Sequence, residues 1–267
     1  MQELALESAI DSIRVRFGSH ALTRAAELPP PQAWPSRTPI DALTGIGGLP
    51  RGRLSLFTGS GTSGKLSLAL SLLARATHEF AHAVVIDDGG LQKGSAGTQA
   101  DGPGLVGGFD PWTLLLSYPE LSALTVVGAP APDVAGEAAA ALARAGAGFI
   151  LLMREPPEHW LGPLEAGANR SGSVVVGVVD APARALAHAS SLSLAFARTG
   201  WVRERGQLVG LRMSVRCVKN RVAAPLGATE LEVRYPIGAR NLTDFAASIS
   251  EVPAQAMELF ECRSAAL

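Results

Sequence analysis

The stretch Gly59-Ser-Gly-Thr-Ser-Gly-Lys65 constrains this chain's fold more than any other. It separates a short apolar run, Arg53–Thr58, from residues 66–74, which are rich in the strong helix formers Leu and Ala. A glycine-rich turn between a strand and a helix suits an anion. The glycines let backbone N–H groups approach it, and the helix presents its positive dipole end. Gly59, Ser60, Gly61, Thr62, Ser63, Gly64 and Lys65 therefore read as a phosphate-binding loop, with Lys65 reaching the β- and γ-phosphates of ATP. One position departs from that pattern. The residue after the lysine should carry a hydroxyl for Mg²⁺, and here it is Leu66. Ser67 follows, but one residue along a helix is a rotation of about 100°, so it does not simply replace the missing group. Three readings stay open: bound nucleotide, metal-assisted hydrolysis, and a glycine turn that keeps the fold without a ligand.

At 267 residues and 47% hydrophobic, the chain is long enough to bury a substantial core. A formal net charge of −1 argues against bulk electrostatic binding to nucleic acid, so DNA contact would need a local basic patch. Cys217 and Cys262 are too few for a disulfide framework or a zinc site, and a reduced cytoplasmic setting is expected. The first residues carry acids and lack the apolar stretch of a signal peptide, and no run approaches the length of a membrane span.

Residues 1–17 place Leu4, Leu6, Ile10, Ile13 and Phe17 at roughly helical spacing. Pro29, Pro30, Pro31 and Pro35 mark a linker. Three segments follow: residues 1–37 as an amphipathic helix and linker, 38–240 as the core, and 241–267 as a tail. Within the core, strands are expected at 53–58, 83–86, 124–127, 149–153, 174–179, 191–198, 208–218 and 229–235. Helices are expected at 38–43, 66–74, 112–116, 133–145 and 160–168. Residues 89–108 are expected as a glycine-rich surface loop. Strands alternating with helices after a phosphate loop indicate an α/β fold: a mostly parallel sheet covered by helices, with an antiparallel extension formed by the late strands.

Asp87 and Asp88 end the strand at 83–86, and carboxylates at that edge of a parallel sheet lie where ligands bind. The alternative is capping of a turn. After the strand at 149–153 come Arg154 and Glu155. Arg154 answers phosphates or caps a turn, and Glu155 is a candidate displaced metal acid. Leu211, Met213, Val215 and Cys217 alternate with Arg212, Ser214 and Arg216. Arg198, Arg203, Arg205, Arg212, Arg216, Lys219 and Arg221 form the dense basic region, either a phosphate-facing patch or a solvated strand face.

Several stretches together resemble the bacterial RecA recombinases and their paralogs. They are RFGSHALTR near the N-terminus, TPIDALTGIGGLPRGR before the phosphate loop, and VKNRVAAPLGATELEVRYPIG at 218–238. Ala185, Leu186, Ser191, Leu194 and Arg198 keep the spacing of a later RecA strand. The resemblance covers roughly residues 5–240 and implies a RecA-like P-loop NTPase core. It assigns phosphate binding to Gly59, Gly64 and Lys65, and it makes Lys219 and Arg221 residues that reach a neighbouring subunit's ATP. It also exposes losses. The catalytic glutamate expected after residues 84–86 falls at Gly89, beside Asp88, and an acid is missing after Met153. One DNA-binding loop is replaced by a proline-bearing turn, and the other is reduced to about residues 180–184.

That pattern resembles the ImuA-type proteins, RecA-like accessory factors of SOS-induced translesion synthesis. The resemblance implies weak ATP binding with little or no hydrolysis, an open question over Mg²⁺, and partnership with RecA and an error-prone, ImuB-like DNA polymerase. Direct binding of single-stranded DNA is expected to be weak, and no membrane association is expected. In the tail, Gln255, Met257, Leu259 and Phe260 are similar to short sliding-clamp-binding peptides, the alternative being a terminal helix packed on the core or a partner. Two competing functions remain: an active DNA-dependent ATPase or recombinase with a rearranged site, and a nucleotide-free scaffold.

Overall fold

The computed structural model describes residues 2–18, 31–87, 114, 119–224, 227–234 and 263–264. The chain divides into two units, Met1–Pro31 and Gln32–Leu267. The first contains helix α1 (Gln2–Phe17), whose Leu6, Ile13, Val15 and Phe17 are exposed. The expected surface loop at 89–108 and the peptide Gln255–Phe260 lie outside the described residues, as do Asp88 and all of the expected helix at 112–116 except Leu114.

The second unit is built on a sheet that has nine strands among the described residues, in the order β11-β10-β9-β8-β3-β7-β6-β4-β5. Its parallel part comprises β3 (Arg53–Thr58), β4 (Ala83–Asp87), β5 (Leu124–Gly128), β6 (Phe149–Leu152), β7 (Val174–Val179) and the start of β8 (Leu192–Glu204). The central strands are near-continuous apolar runs because both of their faces are covered, and successive residues serve opposite layers. Phe57, Val85, Leu151 and Val176 pack with Leu68, Leu72 and Leu73 of α3 (Lys65–Glu79). Leu56, Ile86, Ile150 and Val175 pack with Ala139 and Ala143 of α4 (Pro132–Ala145) and with Leu161 and Leu164 of α5 (Glu158–Ser171). The expected α/β architecture is therefore the observed one.

The antiparallel extension is longer than its sequence reading. β8 runs to Glu204 and β9 spans Gln207–Asn220, joined through Arg205 and Gly206. Those two residues have φ of 49° and 81°, the left-handed pair that a two-residue hairpin turn of matching twist requires. β10 (Ala228–Arg234) pairs with β9, and β11 (Arg263–Ser264) pairs with β10. Leu211, Met213, Val215 and Cys217 face the core, as their alternation predicts.

Two local expectations are corrected. Ala185 and Leu186, matched to the spacing of a strand, belong to a short helix, α6 (Arg184–Ala189). Arg-Ala-Leu-Ala-His-Ala is dominated by good helix formers, and the preceding Ala183 N–H is held by the Glu155 carboxylate. Ala33 and Trp34, within the stretch read as linker, form β1 and pair with β2 (Leu49–Pro50). A Cβ on Gly48 would lie 2.2 Å from the Trp34 carbonyl oxygen, so only glycine permits this ribbon's close approach. The predicted helix before it is observed as α2 (Ile40–Thr44).

Candidate nucleotide-binding site

The loop from Gly59 to Lys65 connects β3 to α3, as its sequence predicts. Gly59 and Gly64 have φ of 142° and 90°, values that side chains resist. A Cβ on Gly59 would meet the Phe196 carbonyl oxygen at 2.2 Å, and one on Gly64 would meet Leu211 and Met213 at 2.8 and 2.9 Å. The loop is thus seated on the inner face of the β8–β9 hairpin. Gly61 has open space around it. Helix α3 begins at Lys65, so its unpaired amides and dipole end open at the loop. Backbone and helix end fit the phosphates of a nucleotide.

The missing hydroxyl has a structural counterpart. Leu66 is half-buried and packs against the α3-side core. Ser67 is also half-buried. The side chain after the lysine therefore contributes packing where the loop motif would place a ligand for Mg²⁺.

Lys65 is fully buried. Its Nζ donates to the carbonyls of Gly59 at 2.7 Å and Ser60 at 3.1 Å, and to Oδ1 of Asp180 at 2.5 Å. Asp180 follows β7, the strand beside β3, and its backbone carbonyl also accepts the Gly59 N–H at 3.2 Å. By sequence alone, residue 180 falls in a shortened loop and does not stand out as a site residue. The signal that singled out Asp87 and Asp88, an acid at the C-terminal end of a parallel strand, applies equally here. Strand order distinguishes them: β7 touches β3, whereas β4, which carries the buried Asp87, is separated from β3 by β6 and β7.

The segments after β6 and β7 are joined. Glu155 accepts the Ala183 N–H at 3.0 Å, and its burial lifts the carboxyl above its ordinary value despite that bond. The Arg154 guanidinium donates to the Ala129 carbonyl at 3.4 Å, the turn-capping alternative for this residue. Lys219 Nζ donates to the carbonyls of Ala187 at 2.5 Å and His188 at 2.9 Å, where α6 ends, and lies 3.4 Å from the Ser190 hydroxyl. Burial, with Arg221 nearby, lowers its pKa. Arg221 itself is exposed. Asn220 between them donates to the Thr44 carbonyl and accepts the N–H groups of Val222 and Ala223, which shapes the turn after β9.

Part of the basic region is neutralised within the chain. Arg212 pairs with Glu232 at 3.0 Å, and Arg234 pairs with Glu232 and Glu204. The Arg198 guanidinium lies 4.4 Å over the Trp201 ring.

Residues 4–93 match the RecA N-terminal domain. The chain resembles RecA proteins over most of its length. It is 28% identical to the RecA protein of Aquifex pyrophilus, over 90% of this chain and 76% of that one. It is 29% identical to the RecA of Gluconobacter oxydans (88% and 75%) and 28% identical to the RecA of Thermus aquaticus (88% and 76%). These matches make the chain similar to RecA proteins, and the parallel sheet with its antiparallel extension is consistent with a RecA-like core. Among the described residues, no helix is long and apolar enough to cross a membrane.

Proposed function

We propose that this protein is a RecA-like accessory factor in DNA repair, acting in damage-induced translesion synthesis. It binds ATP weakly, with little or no hydrolysis, and acts through RecA and an error-prone polymerase. The observation that carries this reading is the divided state of the loop. Gly59, Gly64 and the N-terminus of α3 keep a backbone suited to phosphates, while Leu66 packs inward where a Mg²⁺ ligand belongs. Gly59 to Lys65 would hold the phosphates, and ATP when bound would supply charge and occupancy rather than a cleaved bond. DNA as a partner is suggested by the family. Pairing of Arg212 and Arg234 with Glu232 takes up part of the positive charge on β9 and β10 and favours weak contact.

ATP turnover with and without single-stranded DNA, beside a Lys65→Ala control, tests this. Negligible turnover under both conditions is expected, together with co-purification of RecA. DNA-stimulated turnover that disappears in Lys65→Ala would put the chain among active ATPases and overturn the accessory reading.

A further inference from the structure

A lysine ammonium has three N–H donors, and in Lys65 all three are committed within the chain. Two go to carbonyls of the phosphate loop itself, which cannot leave without dismantling the loop. The third goes to the Asp180 carboxylate, on a side chain that is one-third exposed and so has room to turn outward. An incoming phosphate must therefore displace an anion already in contact with the loop's lysine, and until it does, two negative groups compete for one cation. The Asp180 segment is held at its far end by the Glu155 carboxylate on the Ala183 N–H.

We propose that Asp180 is an internal competitor for phosphate at Lys65, a latch that keeps nucleotide affinity low and ties loop occupancy to the position of residues 180–183. This rests on the nucleotide-binding reading above. Release of the carboxylate by phosphate frees the β7–α6 connection, so a ligand at the β3–α3 loop is felt where Glu155 holds Ala183.

The test is calorimetric titration of ATP into the unmutated chain, Asp180→Asn, and Asp180→Asn combined with Lys65→Ala. Asparagine keeps the size of the side chain and removes its charge. A Kd at least ten-fold lower in Asp180→Asn, with the gain lost in the double variant, is expected. Equal or weaker binding by Asp180→Asn overturns the latch while leaving nucleotide binding intact. No binding by any of the three at millimolar ATP overturns both. Should Asp180→Asn unfold, hydrogen exchange on the unmutated chain at saturating ATP decides the matter. The amides of Ala181 and Ala183 exchange faster if the latch opens, and unchanged or slower exchange overturns it.

Discussion

The Trp34 indole Nε1 donates to Glu79 Oε2 at 2.6 Å, fastening the β1–β2 ribbon to the last turn of α3. Arg75 completes the contact: its guanidinium lies 5.2 Å over the same ring and reaches Glu79 at 2.7 Å. Burial by itself would raise the Glu79 carboxyl. The hydrogen bonds from Arg75 and Trp34 and the charges of Arg75 and Arg37 outweigh it and hold the group below its ordinary 4.5. This contribution to stability is complete above the unfolded carboxylate value and is lost as pH falls through the folded one. Glu79→Gln should lower stability by about 1 kcal/mol at pH 7, and the gap between the two chains in denaturant melts should close as pH falls from 4.5 through the lowered folded value.

Glu155 behaves in the opposite sense. Its burial raises the folded pKa, so the carboxylate form weighs against the fold as pH rises past the ordinary 4.5. Glu155→Gln keeps an acceptor for the Ala183 N–H and removes the charge. The variant should melt at or above the unmutated temperature at pH 7, with any advantage shrinking as pH falls toward 4.5. Glu155→Ala, which leaves that N–H without its acceptor, should cost about 1 kcal/mol.

Two loop glycines should differ sharply. Gly59→Ala places a methyl against the Phe196 carbonyl at a φ of 142°, and about 2 kcal/mol or more of stability should be lost along with ATP binding. Gly61→Ala meets open space and should stay within about 0.5 kcal/mol. Equal thermal shifts for the two would show that the loop is not held as described.

Lys219 and Arg221 separate an internal role from an intersubunit one. Lys219→Ala removes the donor on the last carbonyls of α6 and should lower the stability of the isolated chain by about 1 kcal/mol. Arg221→Ala, at an exposed position, should leave thermal unfolding unchanged. Lys219→Ala melting like the unmutated chain would mean that the lysine's contacts to α6 contribute nothing to stability.

Local physics is what the sequence determined. Uninterrupted apolar runs such as Val174–Val179 fix buried parallel strands, and Gly59 to Lys65 fixes a strand–turn–helix with an anion-ready backbone, because these depend on neighbours within a few residues. Alternation along β9 likewise named its core face. The tertiary structure decided everything that depends on strand order. Asp180 lies 115 positions from Lys65 and meets it only because β7 is hydrogen-bonded to β3, whereas the more conspicuous Asp87 sits on a strand two places further out. Lys219 likewise turns to α6 only because β9 runs back along β8, which brings it beside the helix end. A contact between distant residues costs loop-closure entropy and is secured by the packing of the whole sheet, so no short window of sequence contains it.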